Sequence, residues 1–174
     1  MRAEVSADSV RAFMAALGRE IKGETDVFLV GGTSAVLSGW RPTTIDVDVK
    51  VVPDTEVFGA IARLKETLNL NVELASPHDF LPPLPGWRER SPFVGREGKT
   101  TFYHFDFYSQ ALSKIERGFE KDLADAREML RRGLVEPTKA LDLLRAIEPE
   151  LVRYPAVDPA SFRRAVEDFF GQSP

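Results

Sequence analysis

The sequence predicts an α+β domain that continues into a helical tail. Short strand-like runs alternate with amphipathic stretches through the first part of the chain, and two of these runs flank the turn Glu97-Gly98-Lys99. After residue 109 the apolar residues follow helical spacing. The length of 174 residues suits one domain, or one domain with a small appendage. We therefore expect a domain over residues 1–133 and a helical extension packed on it over residues 134–174.

Periodicity places the elements of the first half. In order they are helix 6–22, strand 26–30, helix 33–38, strand 44–52, helix 55–68 and strand 70–75. The first helix has apolar residues at three- and four-residue steps, with Ser6 or Asp8 available as its N-cap. The strand over 44–52 alternates most clearly, because four apolar residues starting at Ile45 share one face and charged residues share the other.

A proline-rich loop, a hairpin and helices make up the second half. Residues 76–92 hold five of the 12 prolines but are too apolar for a solvated linker, so we expect an ordered loop. Strands 93–96 and 100–108 flank the turn and form a hairpin. Apolar spacing then predicts helices over 110–132, 137–147 and 159–170.

Composition excludes several kinds of site. The absence of cysteine excludes disulfides, a thiolate zinc site and a cysteine nucleophile, and two histidines argue against a histidine-rich metal site. The net charge of −4 does not indicate a basic nucleic-acid-binding domain. No run approaches the roughly 18 apolar residues of a membrane span, and the N-terminus does not resemble a signal peptide. We expect a cytoplasmic protein with no membrane partner.

Two acids on the predicted strand 44–52 are the most informative feature. Asp46 and Asp48 are two residues apart, so their side chains share a face about 7 Å from each other. Carboxylates this close repel unless a cation lies between them, and Mg²⁺ prefers carboxylate and phosphate oxygens. The structural alternative is the solvated polar face of an edge strand.

A glycine turn precedes this strand. Gly31-Gly32-Thr33 lies between a predicted strand and a predicted helix, where glycines let backbone N–H groups approach an anion. The spacing matches neither a Walker loop nor a dinucleotide fingerprint. A glycine turn that opens a helix, followed by an Asp-x-Asp strand, predicts a triphosphate site in which one part holds phosphates and the other holds metal.

The run from Leu29 to Val49 resembles the DNA-polymerase-β-type nucleotidyltransferase superfamily. Within it, the run is most similar to the small bacterial AbiEii-like nucleotidyltransferases, several of which are toxins of toxin–antitoxin pairs. The resemblance covers roughly residues 25–132 and implies a mixed sheet flanked by helices, an NTP substrate and two Mg²⁺ ions. It implies phosphate contacts and metal ligands at the two motifs, namely Gly31, Gly32 and Thr33 for phosphate and Asp46 and Asp48 for metal.

The family often has a third carboxylate that serves as the base or as a ligand of the second metal ion, and two residues are candidates for it. Asp106, in the run His104-Phe105-Asp106-Phe107, is favoured because related palms place their third acid on a later strand between apolar residues. Glu73 is the alternative third acid, on the first strand after the helix. The structural alternative for Asp106 is a cap for the helix that starts near Ser109.

The predicted helix after the strands also looks AbiEii-like. Relatives have a lysine on this helix and then a basic-Asp pair, which assigns Lys114 to catalysis and nucleotide phosphates and Asp122 to catalysis. On one continuous helix Lys114 would lie in a charged stripe with Arg117, Lys121 and Asp125, away from the apolar face. The alternative is an ordinary solvated amphipathic helix.

The expected function is Mg²⁺-dependent transfer of an NMP from an NTP to an acceptor, with release of pyrophosphate. RNA such as tRNA, a protein or a small molecule all fit as acceptor, and the base of the NTP is open. The protein would be the toxin of a toxin–antitoxin pair with a cognate antitoxin. The alternative is a non-catalytic binding or regulatory module of the same shape, acting as antitoxin or partner subunit.

Overall fold

The computed structural model describes residues 1–171, so the last three residues of the predicted extension lie outside the described residues. The α-helices are α1 (Ala7–Glu20), α2 (Gly31–Ser38), α3 (Val57–Thr67), α4 (Phe107–Arg117), α5 (Glu120–Arg131), α6 (Pro137–Ile147) and α7 (Pro159–Gly171). The strands are β1 (Thr25–Leu29), β2 (Asp46–Val52), β3 (Asn71–Leu74), β4 (Phe93–Glu97) and β5 (Thr100–His104). None of the helices described is long and apolar enough to span a bilayer.

The five strands form one mixed sheet in the order β3-β2-β1-β5-β4. Strand β1 pairs antiparallel with β2 and parallel with β5. Strand β3 pairs parallel with β2 at one edge, and the hairpin strand β4 pairs antiparallel with β5 at the other. The predicted α+β class with a mixed, helix-flanked sheet is confirmed.

Strand β2 shows the predicted alternation. Val47, Val49 and Val51 are buried, and the residues between them are half-buried. The buried valines join an apolar cluster with residues of α1 and α3, so the two aspartates point to the opposite face of the sheet. The placement of Ile45 on the apolar face is wrong, because the strand begins only at Asp46 and Ile45 is 68% exposed.

Helix α1 covers the apolar face of the sheet. Ser6 is its N-cap, with Oγ accepting a hydrogen bond of 3.2 Å from the Ser9 N–H. Near its end the helix comes very close to the β4–β5 hairpin, because a Cβ on Gly18 would lie 2.4 Å from the Cβ of Glu97. Glycine at this position therefore permits the approach of α1 to the sheet.

The strand predicted over 100–108 is four residues too long. Strand β5 ends at His104, and Asp106 is the N-cap of α4, which begins at Phe107. The side chain of Asp106 accepts hydrogen bonds from the N–H groups of Tyr108 and Ser109, at 3.2 and 3.3 Å. The first N–H groups of a helix have no partner within the helix, and the Asp106 side chain accepts hydrogen bonds from two of them.

The predicted continuous helix over 110–132 is wrong as well. Gly118 adopts φ of 73°, in the left-handed region, and ends α4, while α5 starts two residues later. Phe119, between the helices, is 67% exposed instead of lying on the predicted apolar face. Because α4 and α5 are separate helices, their charged residues contact different partners from those that one continuous helix would give them.

The chain divides into two compact units at other points than the predicted boundary after residue 133. One unit consists of residues 1–76 and 91–105, and it contains the sheet with α1, α2 and α3. The other consists of the proline-rich loop 77–90 and the chain from residue 106, in which α4 packs against α5, α6 and α7. Helices α4 and α5 therefore belong with the C-terminal helices.

Candidate metal and nucleotide site

Asp46 and Asp48 meet a third carboxylate from the neighbouring strand. In the parallel pair β2–β3, Asp46 lies opposite Asn71 and Asp48 lies opposite Glu73. One carboxylate oxygen from each of Asp46, Asp48 and Glu73 lies within 4.8 Å of the other two. The aspartates are half-buried and Glu73 is exposed. Three carboxylate oxygens are hard ligands of the kind that Mg²⁺ prefers, so this group fits a divalent cation.

The glycine pair borders this carboxylate group. Helix α2 begins at Gly31, whose φ of 57° lies in the left-handed region that favours glycine. A Cβ on Gly31 would lie 3.5 Å from Oδ2 of Asp48, and a Cβ on Gly32 would lie 2.1 Å from Oγ1 of Thr44. The N-terminus of α2 therefore lies beside Asp48 with no side chain between them. Its N–H groups and helix dipole favour an anion there.

Thr33 joins the glycine turn to the strand that carries Asp46 and Asp48. Its Oγ1 accepts a hydrogen bond of 2.8 Å from the Asp48 N–H and donates one of 3.3 Å to the Asp46 carbonyl oxygen. The residue is fully buried. Its hydroxyl is thus engaged with the backbone at both aspartates, and the phosphate contact expected at Thr33 stays a prediction.

Replacing Thr33 with valine should destabilise the fold by about 1–3 kcal/mol, because a buried N–H and a carbonyl each lose a partner while the shape is kept. Urea denaturation of the variant and wild type measures this difference. Thr33→Ser keeps the hydroxyl and should lose less. A larger loss in the serine variant than in the valine variant would show that the methyl group, not the hydroxyl, is what matters.

Asp106, the favoured third carboxylate, is not a member of this group. Arg90 forms a bidentate ion pair with it, with Nε 3.1 Å from Oδ1 and Nη2 2.8 Å from Oδ2. Ser109 Oγ also donates to Oδ2, at 2.8 Å. The carboxylate is 1% exposed, and besides this ion pair it caps α4. The alternative of a helix cap is what the structure shows, and Glu73 is the acid that joins the aspartates.

Lys114 and Asp122 lie in a buried charge cluster between α4 and α5. Lys114 Nζ is 2.8 Å from Oδ2 of Asp125 and 3.7 Å from Oδ1 of Asp122. Arg117 Nε is 3.5 Å from Oδ2 of Asp122. The lysine is only 7% exposed, so the alternative of a solvated helix face is wrong for it, because the turn at Gly118 folds α5 back onto α4.

A family model matches residues 9–166, and it describes a nucleotidyltransferase of unknown function (DUF6036). The chain belongs to this nucleotidyltransferase family. The predicted nucleotidyltransferase class is thereby supported, while the polymerase-β-type superfamily and the AbiEii-like subtype stay predictions.

Comparison with solved structures finds an antigenic nucleotidyltransferase-like protein from Paracoccidioides brasiliensis. It is 16% identical, and the alignment covers 94% of this chain and 95% of that chain with a TM-score of 0.49. No curated protein sequence matches the chain.

Two further residues of this nucleotidyltransferase-family chain lie on the carboxylate face of the sheet. Asn71 donates hydrogen bonds from its amide nitrogen to Asp46 Oδ1 and to Glu73 Oε1. Lys50 follows Asp48 by two residues, is half-buried, and forms no ion pair within residues 1–171. The alternation of β2 and β3 already places both on this face, but residue type alone does not distinguish them from surface residues.

His104 supports α2 from the end of β5, and burial lowers its pKa to about 4. Its Nδ1 lies 2.8 Å from Oγ of Ser34, in the first turns of α2. Between about pH 6.5 and pH 4, His104 is protonated in the unfolded chain, where its pKa is near 6.5, but stays neutral in the folded protein. The stability that depends on neutral His104 is therefore complete above about pH 6.5 and is lost as the pH falls towards 4.

The free energy of unfolding should fall by up to about 3 kcal/mol between pH 6.5 and pH 4 through His104 alone. His104→Gln should flatten this part of the pH profile, measured by urea denaturation at several pH values. A wild-type slope in the His104 variant would contradict this account.

Proposed function

We propose that this protein is a Mg²⁺-dependent nucleotidyltransferase. An acceptor hydroxyl or phosphate oxygen attacks the α-phosphorus of an NTP, a new P–O bond forms, and the bond to the β-phosphate oxygen breaks. Pyrophosphate leaves, and the NMP stays on the acceptor. With a hydroxyl acceptor, the proton passes to a carboxylate oxygen of Glu73 and from there to water.

The closeness of the glycine turn to the acidic group carries this proposal. Only 3.5 Å would separate a Cβ on Gly31 from Oδ2 of Asp48, so a phosphate bound at the α2 N–H groups would be next to the carboxylates. A phosphate alone would be repelled there. A divalent cation held by the acids would remove the repulsion, which is the reason to assign the two motifs to one site.

In this proposal the residues around the glycine turn and the acidic group have separate roles. Asp46, Asp48 and Glu73 would hold Mg²⁺, which when bound neutralises phosphate charge and polarises the α-phosphorus. The N–H groups of Gly31 and Gly32 would bind the phosphates. The guanidinium of Arg41 lies beside the turn, with Nη1 3.3 Å from where a Cβ of Gly32 would be, and it adds positive charge for the triphosphate.

A non-catalytic module is the second candidate. Lys114, which the resemblance assigns to the nucleotide, is already matched by Asp125 and Asp122, so it offers less positive charge to a bound anion. In that case the protein binds an NTP with Mg²⁺, or a partner, without transferring the nucleotide. Calorimetry with Mg²⁺ and each NTP tests for nucleotide binding, and its absence would favour the module; only an enzyme labels an acceptor.

The four α-labelled NTPs, each with Mg²⁺, should be incubated with separate RNA, protein and small-molecule fractions of a cell extract. We expect one NTP to label one fraction, with labelling abolished by EDTA and by the variant carrying Asp46→Ala and Asp48→Ala. Labelling that persists in the double variant would refute the proposed site. NTP binding without labelling of any fraction would favour the non-catalytic module.

We also propose that the transfer makes the protein a toxin with a cognate antitoxin, a role supported by the resemblance of the glycine turn and Asp-x-Asp strand. Induced expression of the wild type should then arrest growth, while the double alanine variant should not. Arrest by both proteins would indicate a cause other than nucleotidyl transfer. Co-expression with the product of the neighbouring gene tests for the antitoxin.

A further inference from the structure

One neutral side chain links two of the three clustered carboxylates. Asn71 begins β3, directly opposite Asp46 and two residues before Glu73 on the same face. Its amide nitrogen donates to Oδ1 of Asp46 and, at 3.1 Å, to Oε1 of Glu73. The side chain thus spans the boundary between β2 and β3 at the candidate metal site.

The hydrogen bonds from Asn71 reduce the repulsion between carboxylates in the protein without a bound ion. Three carboxylate oxygens within 4.8 Å repel one another, and neither Asp46 nor Glu73 forms an ion pair with another described residue. The two N–H groups of one amide supply partial positive charge between two of the acids. Without them, the exposed Glu73 side chain would turn away into solvent.

The same contact leaves the acids able to bind a cation. Each carboxylate has about four lone-pair sites, so accepting one hydrogen bond from the amide leaves the others for a metal ion. Ligands already held together need not be ordered when the ion binds, which strengthens binding. Partners that orient metal ligands in this way commonly change metal affinity by 10–100-fold when they are removed.

We infer that Asn71 is a positioning residue for the divalent-cation site. It holds the carboxylates of Asp46 and Glu73 together through its amide N–H groups and so raises the affinity for Mg²⁺ or Mn²⁺. This inference rests on the proposed function, because it takes the acidic group to be a cation site.

Calorimetric titration with Mn²⁺ tests the inference on the full chain. Asn71→Ala should weaken binding about 10-fold. Leu74→Ala is the matched control: it alters the same strand at a side chain that is 43% exposed, and it should bind Mn²⁺ like the wild type. Equal affinity in the wild type and Asn71→Ala would overturn the inference, and so would equal weakening in both variants.

A second variant gives a readout that does not depend on the alanine protein folding well. Asn71→Asp replaces the donor with a fourth carboxylate, so Tm without metal should fall and the rise in Tm on adding Mn²⁺ should exceed that of the wild type. An unchanged metal-free Tm would overturn the inference. Absence of any Mn²⁺ binding by the wild type would instead overturn the proposed function, and the inference with it.

Discussion

Replacing both Asp46 and Asp48 with alanine is expected to reduce nucleotidyl transfer by on the order of 10³-fold or more while leaving the fold intact. The loss follows because the remaining acid, Glu73, cannot hold the cation that neutralises the triphosphate. The fold survives because the buried valines on the other face of β2 make the core contacts, and removing two like charges relieves repulsion. Transfer rates with the identified NTP and urea denaturation measure the two effects.

Paired single variants separate the two candidates for the third acid. Glu73→Gln should lower transfer strongly with little change in the free energy of unfolding, since its side chain is exposed. Asp106→Asn should chiefly lower stability, because it weakens the buried ion pair with Arg90 and the cap of α4. Full activity in Glu73→Gln, with none in well-folded Asp106→Asn, would restore Asp106 as the third acid.

Replacing Lys114 with methionine should give the largest loss of stability, about 3–5 kcal/mol. The substitution leaves Asp125 and Asp122, both at least nine-tenths buried, without the ammonium group that lies between them. Asp122 then keeps the ion pair of its Oδ2 with Arg117 Nε, but at 3.5 Å this contact is not a hydrogen bond and compensates only part of the charge. Urea denaturation at neutral pH measures the change.

Two further variants show whether charge compensation is the cause. Lys121→Ala changes an exposed lysine of α5 and should alter the free energy of unfolding by no more than about 0.5 kcal/mol. Adding Asp125→Asn to Lys114→Met removes one uncompensated charge and should restore part of the lost stability. Wild-type stability in Lys114→Met, together with lost transfer, would mean that the lysine serves the substrate instead of the fold.

The parts of the site that are local in sequence were predictable. The alternation of β2 placed Asp46 and Asp48 on one face because a strand has a period of two, and the glycine pair marked the start of α2 because few other residues fit there. The mixed sheet followed from the resemblance. The alternation of β2 and the glycine turn both depend on residues that are close in sequence.

The parts of the site that depend on residues distant in sequence could not be predicted from local patterns. Asp106 between apolar residues looks like a strand acid, and only the ion pair with Arg90, from the proline-rich loop, shows that it is bound elsewhere. The hydroxyl of Thr33 bonds the backbone of β2 at residues 13 and 15 positions away, a contact that no local pattern indicates. Gly118 ends α4, and the turn there brings the aspartates of α5 next to Lys114. Helical periodicity alone does not show where a helix ends.

The central claim is that Asp46, Asp48 and Glu73 bind a divalent cation together with a nucleotide at the start of α2. A crystal structure with Mn²⁺ and a non-hydrolysable NTP, with anomalous scattering to locate the ion, tests it most directly. We predict an anomalous peak within ligand distance of all three carboxylates and phosphate oxygens at the Gly31 and Gly32 N–H groups. A nucleotide bound with its ion away from these acids would contradict the account.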